Sequence, residues 1–448
     1  MRPMIFAKYK VEIFLLLFSL LVYSYFISSF HSANESSHFA LIRSIVDQKT
    51  FIIDTYRDYA SIDVAFYKGH YYTDKMPGLS VLGIPVYWID LQLGFKFDWQ
   101  FFNSLALYTT IFSAVAVVLV YRISRLFSFS SATSFLLSLV YGFGTLAWVF
   151  SKTFFAHPYS AFFVLLSIYF ILLTEKKKIA KYAVFSGISL GILATLEYAN
   201  LAVAGLLALY FVMRNKRKYL LHLIIPIIPF AVAVLAYNYS IFGSPFLIPL
   251  NFHYSFGNTA QTQWFKFSKT KEGLNGLLVS TSAGLLYLSP ILLLSIVGFK
   301  EFFKKNRLLA AIFAVSFLSM LFFFASSESW HGGNSYGPRY LLFVVPFLIF
   351  PIGFVIEKYK DTKIFWLVFI LLLTYSVVLN GAGALNDPTP AEIIKNPFLE
   401  HNLPNLMRMD IDSYFYRQNK DSLNLFVFLL FVLSFYFAVK VRKIISFK

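Results

Sequence analysis

The sequence predicts an all-α polytopic membrane protein, and three observations lead there. Of 448 residues, 58% are hydrophobic and 14% are charged, against roughly a quarter charged in soluble domains. Apolar windows of about 20 residues, long enough to cross a hydrocarbon core of ~30 Å, recur along the whole chain. Lysines and arginines cluster in alternate connections between those windows, which is the charge asymmetry of inserted helices.

In order, the apolar windows lie near 11–30, 102–121, 132–150, 157–174, 182–197, 199–213, 219–240, 282–299, 308–325, 340–356, 364–381 and 424–441. That gives about twelve transmembrane helices in a single integral-membrane domain, 1–448. The first window follows a basic start (Arg2, Lys8, Lys10) but no small-x-small cleavage site, so it reads as an uncleaved helix. The basic connections hold Arg122 and Arg125; Lys176 to Lys178 and Lys181; Arg214 and Lys216 to Lys218; Lys300, Lys304, Lys305 and Arg307; Lys358, Lys360 and Lys363; and Lys440, Arg442 and Lys443. Positive charge stays inside, so both termini are expected in the cytoplasm of a multi-pass cell-membrane protein. The formal charge of +17 is thereby a product of topology, and the partners of these rims are anionic lipid headgroups, with no nucleic acid. There is no cysteine, which excludes disulfides and thiolate chemistry.

Topology sends 31–101, 241–281, 326–339 and 382–423 to the outer face. The first of these gathers Glu35, Asp47, Asp54, Asp58, Asp63, Asp74, Asp90 and Asp98. Within it, Phe39, Ala40, Ile42, Ile45 and Val46 recur at helical spacing over Ser36 to Val46. Asn34 is the expected N-cap, which sets Glu35 in the first turn. After Pro77, the apolar run Gly78 to Leu93 contains Pro85 and carries Tyr87 and Trp88, residues suited to the membrane boundary. It is expected to lie as an interfacial helix. In 382–423, Pro388, Pro390, Pro397 and Pro404 deny a continuous helix; this long outer loop could cap a site or select an acceptor. No internal repeat is evident, which disfavours an inverted-repeat transporter.

Several segments in this order resemble one family. An outer Asn34-Glu35 at a helix start is followed by Tyr71-Tyr72-Thr73-Asp74-Lys75-Met76-Pro77-Gly78. Tyr237-Asn238 with Phe242-Gly243-Ser244-Pro245 comes next, then Gly284-Leu285-Leu286-Tyr287-Leu288-Ser289-Pro290. Trp330-His331-Gly332-Gly333 and Tyr336-Gly337-Pro338-Arg339-Tyr340 complete the set. Over roughly 10–350 the chain looks like the GT-C glycosyltransferases, in the branch of protein O-mannosyltransferases and the lipid A aminoarabinose transferase. The resemblance implies inverting transfer of a hexosyl or pentosyl group from a polyprenyl-phosphate-linked sugar to a glycan, lipid or protein acceptor outside the cytoplasm. Such a reaction needs a carboxylate to deprotonate the acceptor and cations to hold the departing phosphate.

The resemblance also distributes roles. The family's outer motif is usually Asp-Glu with the aspartate as base; Asn34 stands at that aspartate and cannot accept a proton, so the role passes to Glu35. A helix-cap carboxylate is the other reading of Glu35. Asp74-Lys75 before Pro77 matches the family's acid-Lys-Pro, whose lysine contacts lipid phosphate; a lysine snorkelling to the surface is the alternative. Asp74 could orient that lysine, bind acceptor or aid catalysis, with Asp63 a weaker candidate for the same site. Arg339 at the mouth of a span can fork two phosphate oxygens or be an ordinary flanking arginine. His70, Tyr71 and Tyr72 could line a sugar pocket or belong to the interfacial belt, and His331 joins them as a substrate-binding candidate. His157 and Glu197 are ionisable residues at the ends of spans, each open to a functional or a structural reading. Glu35 and His38 have a spacing seen in di-metal bundles, but one copy is weak, so no metal is assigned and no cofactor is required, while the sequence leaves open whether a divalent metal assists. The sequons at Asn34 and Asn238 carry no weight.

Two other classes remain open from sequence. A polytopic transporter or lipid flippase predicts charged pairs at mid-membrane and internal symmetry. A lipid-linked polysaccharide polymerase or ligase more often places its large outer loop late in the chain.

Overall fold

The structure, a computed structural model, describes residues 9–28, 31–96, 98–215, 218–254, 266–389, 394–437 and 439. Arg2, Lys8, Lys216, Pro390, Glu392, Lys440, Arg442 and Lys443, and 255–265 of the expected outer segment, lie outside them.

The fold is that of an all-α membrane protein. Among the described residues, five helices are long and apolar enough to cross a membrane: Asp98–Leu126, Ala156–Lys177, Leu220–Phe242, Arg307–Ala325 and Lys363–Ala384. Shorter apolar helices occupy Ser131–Phe143, Ala180–Leu196, Asn200–Asn215 and Ser422–Tyr436, and Lys10–Tyr25 forms the first helix. Three windows that read as continuous spans are broken, the one at 132–150 into Ser131–Phe143 and Leu146–Val149. Around Pro290 the chain runs as a short turn Leu285–Leu288, a 3₁₀ segment Pro290–Leu293 and then a helix Leu294–Lys305. At Pro346 a 3₁₀ segment Arg339–Val344 gives way to Pro346–Tyr359. Proline lacks the N–H that would carry the preceding turn onward.

The chain forms two compact units. One comprises Met1–Ser29, Thr110–Lys152 and Phe265–Lys448; the other comprises Phe30–Thr109 and Thr153–Trp264. In the first unit, the Leu294–Lys305 and Pro346–Tyr359 helices approach so closely that a Cβ on Gly298 would stand 2.1 Å from the Pro351 carbonyl oxygen. Small residues permit such contact where the hydrophobic effect between helices is weak. The same unit carries a buried ionic knot. Lys152 Nζ lies 3.5 Å from Asp412 Oδ2 and donates to the Asn386 carbonyl at 3.1 Å, while Ser28 Oγ donates to Asp412 Oδ2 at 2.5 Å. Backbone bonds from Asp412 to Leu385 and from Tyr414 to Ile27 fix the segment on either side. As its prolines foretold, the described part of the late loop contains only short turns, Phe398–Asn402, Leu403–Met407 and Tyr414–Gln418.

The second unit is organised by the acid-rich loop. Its helix runs Ala33–Arg43, and residues Glu35 to Ile42 are all buried. The N-cap is Ser32, two residues before the expected Asn34: the Ser32 hydroxyl accepts from the Glu35 N–H, and Glu35 reaches back to the Ser32 N–H at 2.9 Å. This reciprocal capping box satisfies two helix-end donors at once, which Asn34, already inside the helix, could not do. Glu35 is thus the third helical residue. A two-stranded antiparallel hairpin, β1 (Val64–Tyr67) and β2 (His70–Thr73), follows. The expectation of an all-α loop did not include it. Lys68 and Gly69 both have positive φ, the geometry of a tight two-residue hairpin turn whose second position glycine fills without strain. Ala40, Leu41, Ile53, Tyr56, Ala60 and Val64 form the core between helix and hairpin. The expected helix after Pro77 is present as Gly78–Gln92.

Candidate active site

The hairpin register creates the site. Val64 pairs with Thr73, so the residues flanking the open end, Asp63 and Asp74-Lys75, are brought side by side. Lys75 Nζ bridges both carboxylates, 2.7 Å from Asp74 Oδ2 and 3.0 Å from Asp63 Oδ2. Ser37 of the Ala33–Arg43 helix clamps both strands here. Its hydroxyl donates to the Asp63 carbonyl at 2.6 Å and lies 2.8 Å from Thr73 Oγ1. Thr73 Oγ1 in turn accepts the Lys75 N–H at 3.2 Å.

The fourth member is His253. A 3₁₀ turn, Pro249–Phe252, precedes it, and an isolated bridge between Ala65 and His253 holds it against β1. Its Nε2 stands 3.3 Å from Asp74 Oδ2. Sequence reasoning missed this residue and Ser37. The one available signal was that His253 is the lone histidine of 241–281.

Electrostatics follow from burial and pairing. Burial alone would raise the Asp74 carboxyl, but Lys75 and His253 overcome it and hold the group below the usual carboxylate range. Burial pulls Lys75 down, and Asp74 and Asp63 more than offset it, so the ammonium stays charged. Asp74 Oδ1 is buried and has no hydrogen-bond partner among the described residues. The ligand atoms of Asp63, Asp74 and His253 lie within 4.8 Å of one another. Two carboxylates and an imidazole with a spare buried oxygen are a donor set that fits a divalent cation, although the sequence assigned none.

The other candidates fall into three groups. Glu35 lies in the same unit, but both of its oxygens are engaged. Oε1 accepts from the Phe154 N–H at 2.9 Å, and Oε2 accepts from the N–H and hydroxyl of Ser32. At the hairpin turn, His70 Nδ1 lies 2.7 Å from Asp54, whose other oxygen accepts the Tyr71 N–H at 2.7 Å. Tyr71 packs on Phe66 and under Arg57, and Tyr72 is buried towards Phe242. Arg339 and His331 belong to the first unit. There Arg339 stacks its guanidinium on Tyr340, and His331 Nδ1 accepts the Gly333 N–H at 3.1 Å. Tyr336 fixes that loop by donating to the Leu379 carbonyl at 2.8 Å.

A second ionisable pair flanks the Lys75 turn. A Cβ on Gly78 would meet the Thr195 carbonyl oxygen at 2.3 Å, so the turn after Lys75 rests directly on the end of the Ala180–Leu196 helix. Two residues beyond Thr195, Glu197 Oε1 stands 3.2 Å from His157 Nδ1. His157 is 3% exposed and Glu197 28%.

His38 sits between these groups. Its Nδ1 is 2.9 Å from Ser80 Oγ. Burial, then Lys75, pushes its imidazole down to about 3. Unfolding releases a histidine of ordinary pKa near 6.5, so the unfolded chain binds the extra proton as pH falls from about 6.5 towards 3. Stability from this group is complete above that window and is lost through it. Wild type is expected to lose about 2 kcal/mol more than His38→Asn between about pH 7 and pH 5. Thermal unfolding in detergent at the two pH values checks this, and equal losses would refute it.

No protein family model and no curated protein matches the sequence. Solved structures do match the fold. An oligosaccharyltransferase of Archaeoglobus fulgidus, crystallised with a tethered acceptor peptide carrying the NVT sequon, matches with TM-score 0.58 at 15% identity, over 86% of this chain and 56% of that one. ArnT from Cupriavidus metallidurans in the apo state matches with TM-score 0.56 at 12% identity, over 98% of this chain and 73% of that one. The same enzyme bound to undecaprenyl phosphate gives 0.52 at 12% identity, over 96% and 72%. The chain spans a little over half the length of the archaeal enzyme. What is shared with the archaeal oligosaccharyltransferase and with ArnT at these identities is the fold.

Proposed function

We propose that this chain, built on the fold of membrane glycosyltransferases, moves a sugar from a polyprenyl-phosphate donor to an acceptor hydroxyl on the outer face of the membrane. The observation that carries the reading is the Lys75 ammonium set between Asp63 and Asp74 at the mouth of the hairpin. Its neighbour in fold, ArnT, was crystallised with undecaprenyl phosphate. About twelve spans, cytoplasmic termini and an outer 31–101 loop belong to this proposal, since a polyprenyl tail must stay in lipid while its phosphate meets the polar loop.

In the proposed reaction the acceptor oxygen attacks the anomeric carbon and the bond from that carbon to the phosphate oxygen breaks. The electron pair leaves on the phosphate, and the acceptor proton goes to a base. Lys75 neutralises the leaving phosphate; Arg339, in the other unit, is kept as a separate proposal for phosphate contact. Asp74 and Asp63 orient Lys75 and keep it charged. A divalent cation, held by Asp63, Asp74 and His253, would supply further positive charge against that phosphate. His70, Tyr71, Tyr72 and His331 remain proposals for contacts to sugar or acceptor. Glu35 changes role: with both oxygens engaged in capping and in holding Phe154, it positions the Ala33–Arg43 helix and its Ser37 clamp rather than accepting a proton.

The test is full-length protein in lipid nanodiscs with a panel of undecaprenyl-phosphate hexoses and pentoses, reading release of undecaprenyl phosphate with water, lipid A or hydroxyl peptides as acceptor. Turnover of at least one donor is expected. No turnover of any donor, together with ion- or lipid-driven flux in sealed vesicles, would replace the reading with transport.

A further inference from the structure

If Glu35 is a cap, the acceptor's proton needs another destination. The carboxylates of the second unit are mostly committed. Asp47 accepts from Tyr56 and Tyr87, Asp54 holds the hairpin turn, Asp63 and Asp74 hold Lys75, Asp90 accepts from Ser104, and Asp98 pairs with Arg43. Glu175 pairs with Arg214 at a basic helix end. Asp58 is exposed on a short surface turn.

Glu197 differs in three respects. Its partner is an imidazole, not a permanent cation, so its charge is not already neutralised. It is part-exposed while that imidazole is buried behind it. And it follows by two residues the Thr195 carbonyl on which Gly78, three residues after Lys75, is packed. The Gly78–Gln92 and Ala180–Leu196 helices carry this contact. Field effects agree with the placement: Tyr198, next in sequence, feels burial and then Asp74, and His38 feels both Lys75 and His157.

We propose that Glu197 is the base that deprotonates the acceptor and that His157 positions it; the inference rests on the transfer reading of the Lys75 site. The acceptor O–H gives its proton to the free carboxylate oxygen of Glu197 as its oxygen bonds to the anomeric carbon. The bond to phosphate breaks, and its electron pair leaves with the phosphate beside Lys75. His157, with its proton on Nδ1, lies within hydrogen-bond reach of Oε1 and favours the charged carboxylate. Among the described residues, His38 feels His157, Lys75 and Asp74, Tyr198 feels Asp74, and Tyr237 lies within the field of Tyr198, Tyr72 and Asp74.

The experiment uses full-length protein in nanodiscs, measuring binding of undecaprenyl phosphate alongside transfer. Glu197→Gln is expected to bind undecaprenyl phosphate within about twofold of wild type and to lose transfer by about 10²–10⁴-fold, with Glu197→Asp recovering part. His157→Leu removes the N–H that stands 3.2 Å from Oε1 and is expected to move the acidic limb of the pH–rate profile to higher pH. His157→Asn keeps an N–H at that place and leaves the limb near its wild-type position. A merely structural His157 would lower the rate at all pH values without moving the limb, and that result overturns its role. Glu197→Gln turning over like wild type, or losing undecaprenyl phosphate binding with its activity, overturns the base assignment while wild-type turnover keeps the transfer reading intact. Failure of wild type on every donor removes both.

Discussion

Lys75→Ala is expected to lower transfer by about 10²–10³-fold, the loss typical of removing a preorganised group that meets charge developing in a transition state. The same change should also destabilise the protein, because it leaves Asp63 and Asp74 facing each other with Asp74 only 3% exposed. Without the ammonium, burial pushes the Asp74 carboxyl up, and only His253 is left to oppose it. The two effects separate cleanly. Lys75→Met combined with Asp74→Asn relieves the uncompensated charge, so thermal stability should return towards wild type while transfer stays low. Recovery of transfer together with stability would show Lys75 to be only an internal counter-ion.

Lys152→Met should carry the largest stability cost of any single change in the first unit, about 3–5 kcal/mol, the range for removing one partner of a buried ion pair. Lys152 and Asp412 expose only 1% and 4% of their side chains, so water cannot take over the lost charge, and Arg417, 3.9 Å from Asp412 Oδ1, is a longer and more exposed partner. The expected readouts are a lower melting temperature in detergent and new protease sensitivity around Leu385 to Ser413, which the Lys152 contacts to Asn386 and Asp412 hold down. Lys152→Met with Asp412→Leu removes both charges and should recover most of the loss, since a well-packed apolar pair often replaces a buried ion pair without penalty. Unchanged proteolysis in the single variant would mean the segment is held by its backbone bonds alone.

Much of the architecture was legible because its cause is local. Apolar windows became helices at Asp98–Leu126, Ala156–Lys177, Leu220–Phe242, Arg307–Ala325 and Lys363–Ala384, since a backbone in hydrocarbon must satisfy its own hydrogen bonds. Pro290 and Pro346 were equally visible, yet their consequence was missed when whole windows were read by hydropathy, a measure insensitive to a single absent N–H. The cap was misplaced from Asn34 to Ser32 for a related reason. Both are good cap residues, and only the partner three positions on, Glu35 for Ser32, distinguishes them.

Within the site, Asp74 and Lys75 were marked by their own dipeptide, and Asp63 joined them once β1 and β2 paired. His253 and Ser37 carry no local signature. They reach the cluster through a distant turn and a helix face, as His157 and Glu197 reach each other from the ends of different helices. Sequence alone therefore determined the solvent each segment prefers, where helices start and stop, and which charges stand in the polar loop, because hydropathy, capping and proline act over a few residues. Which of those charges meet, and which carboxylate is spent on a cap, were decided only by the tertiary structure. Ion pairs and hydrogen bonds depend on distances of a few ångströms between residues far apart in the chain, and only packing sets those distances.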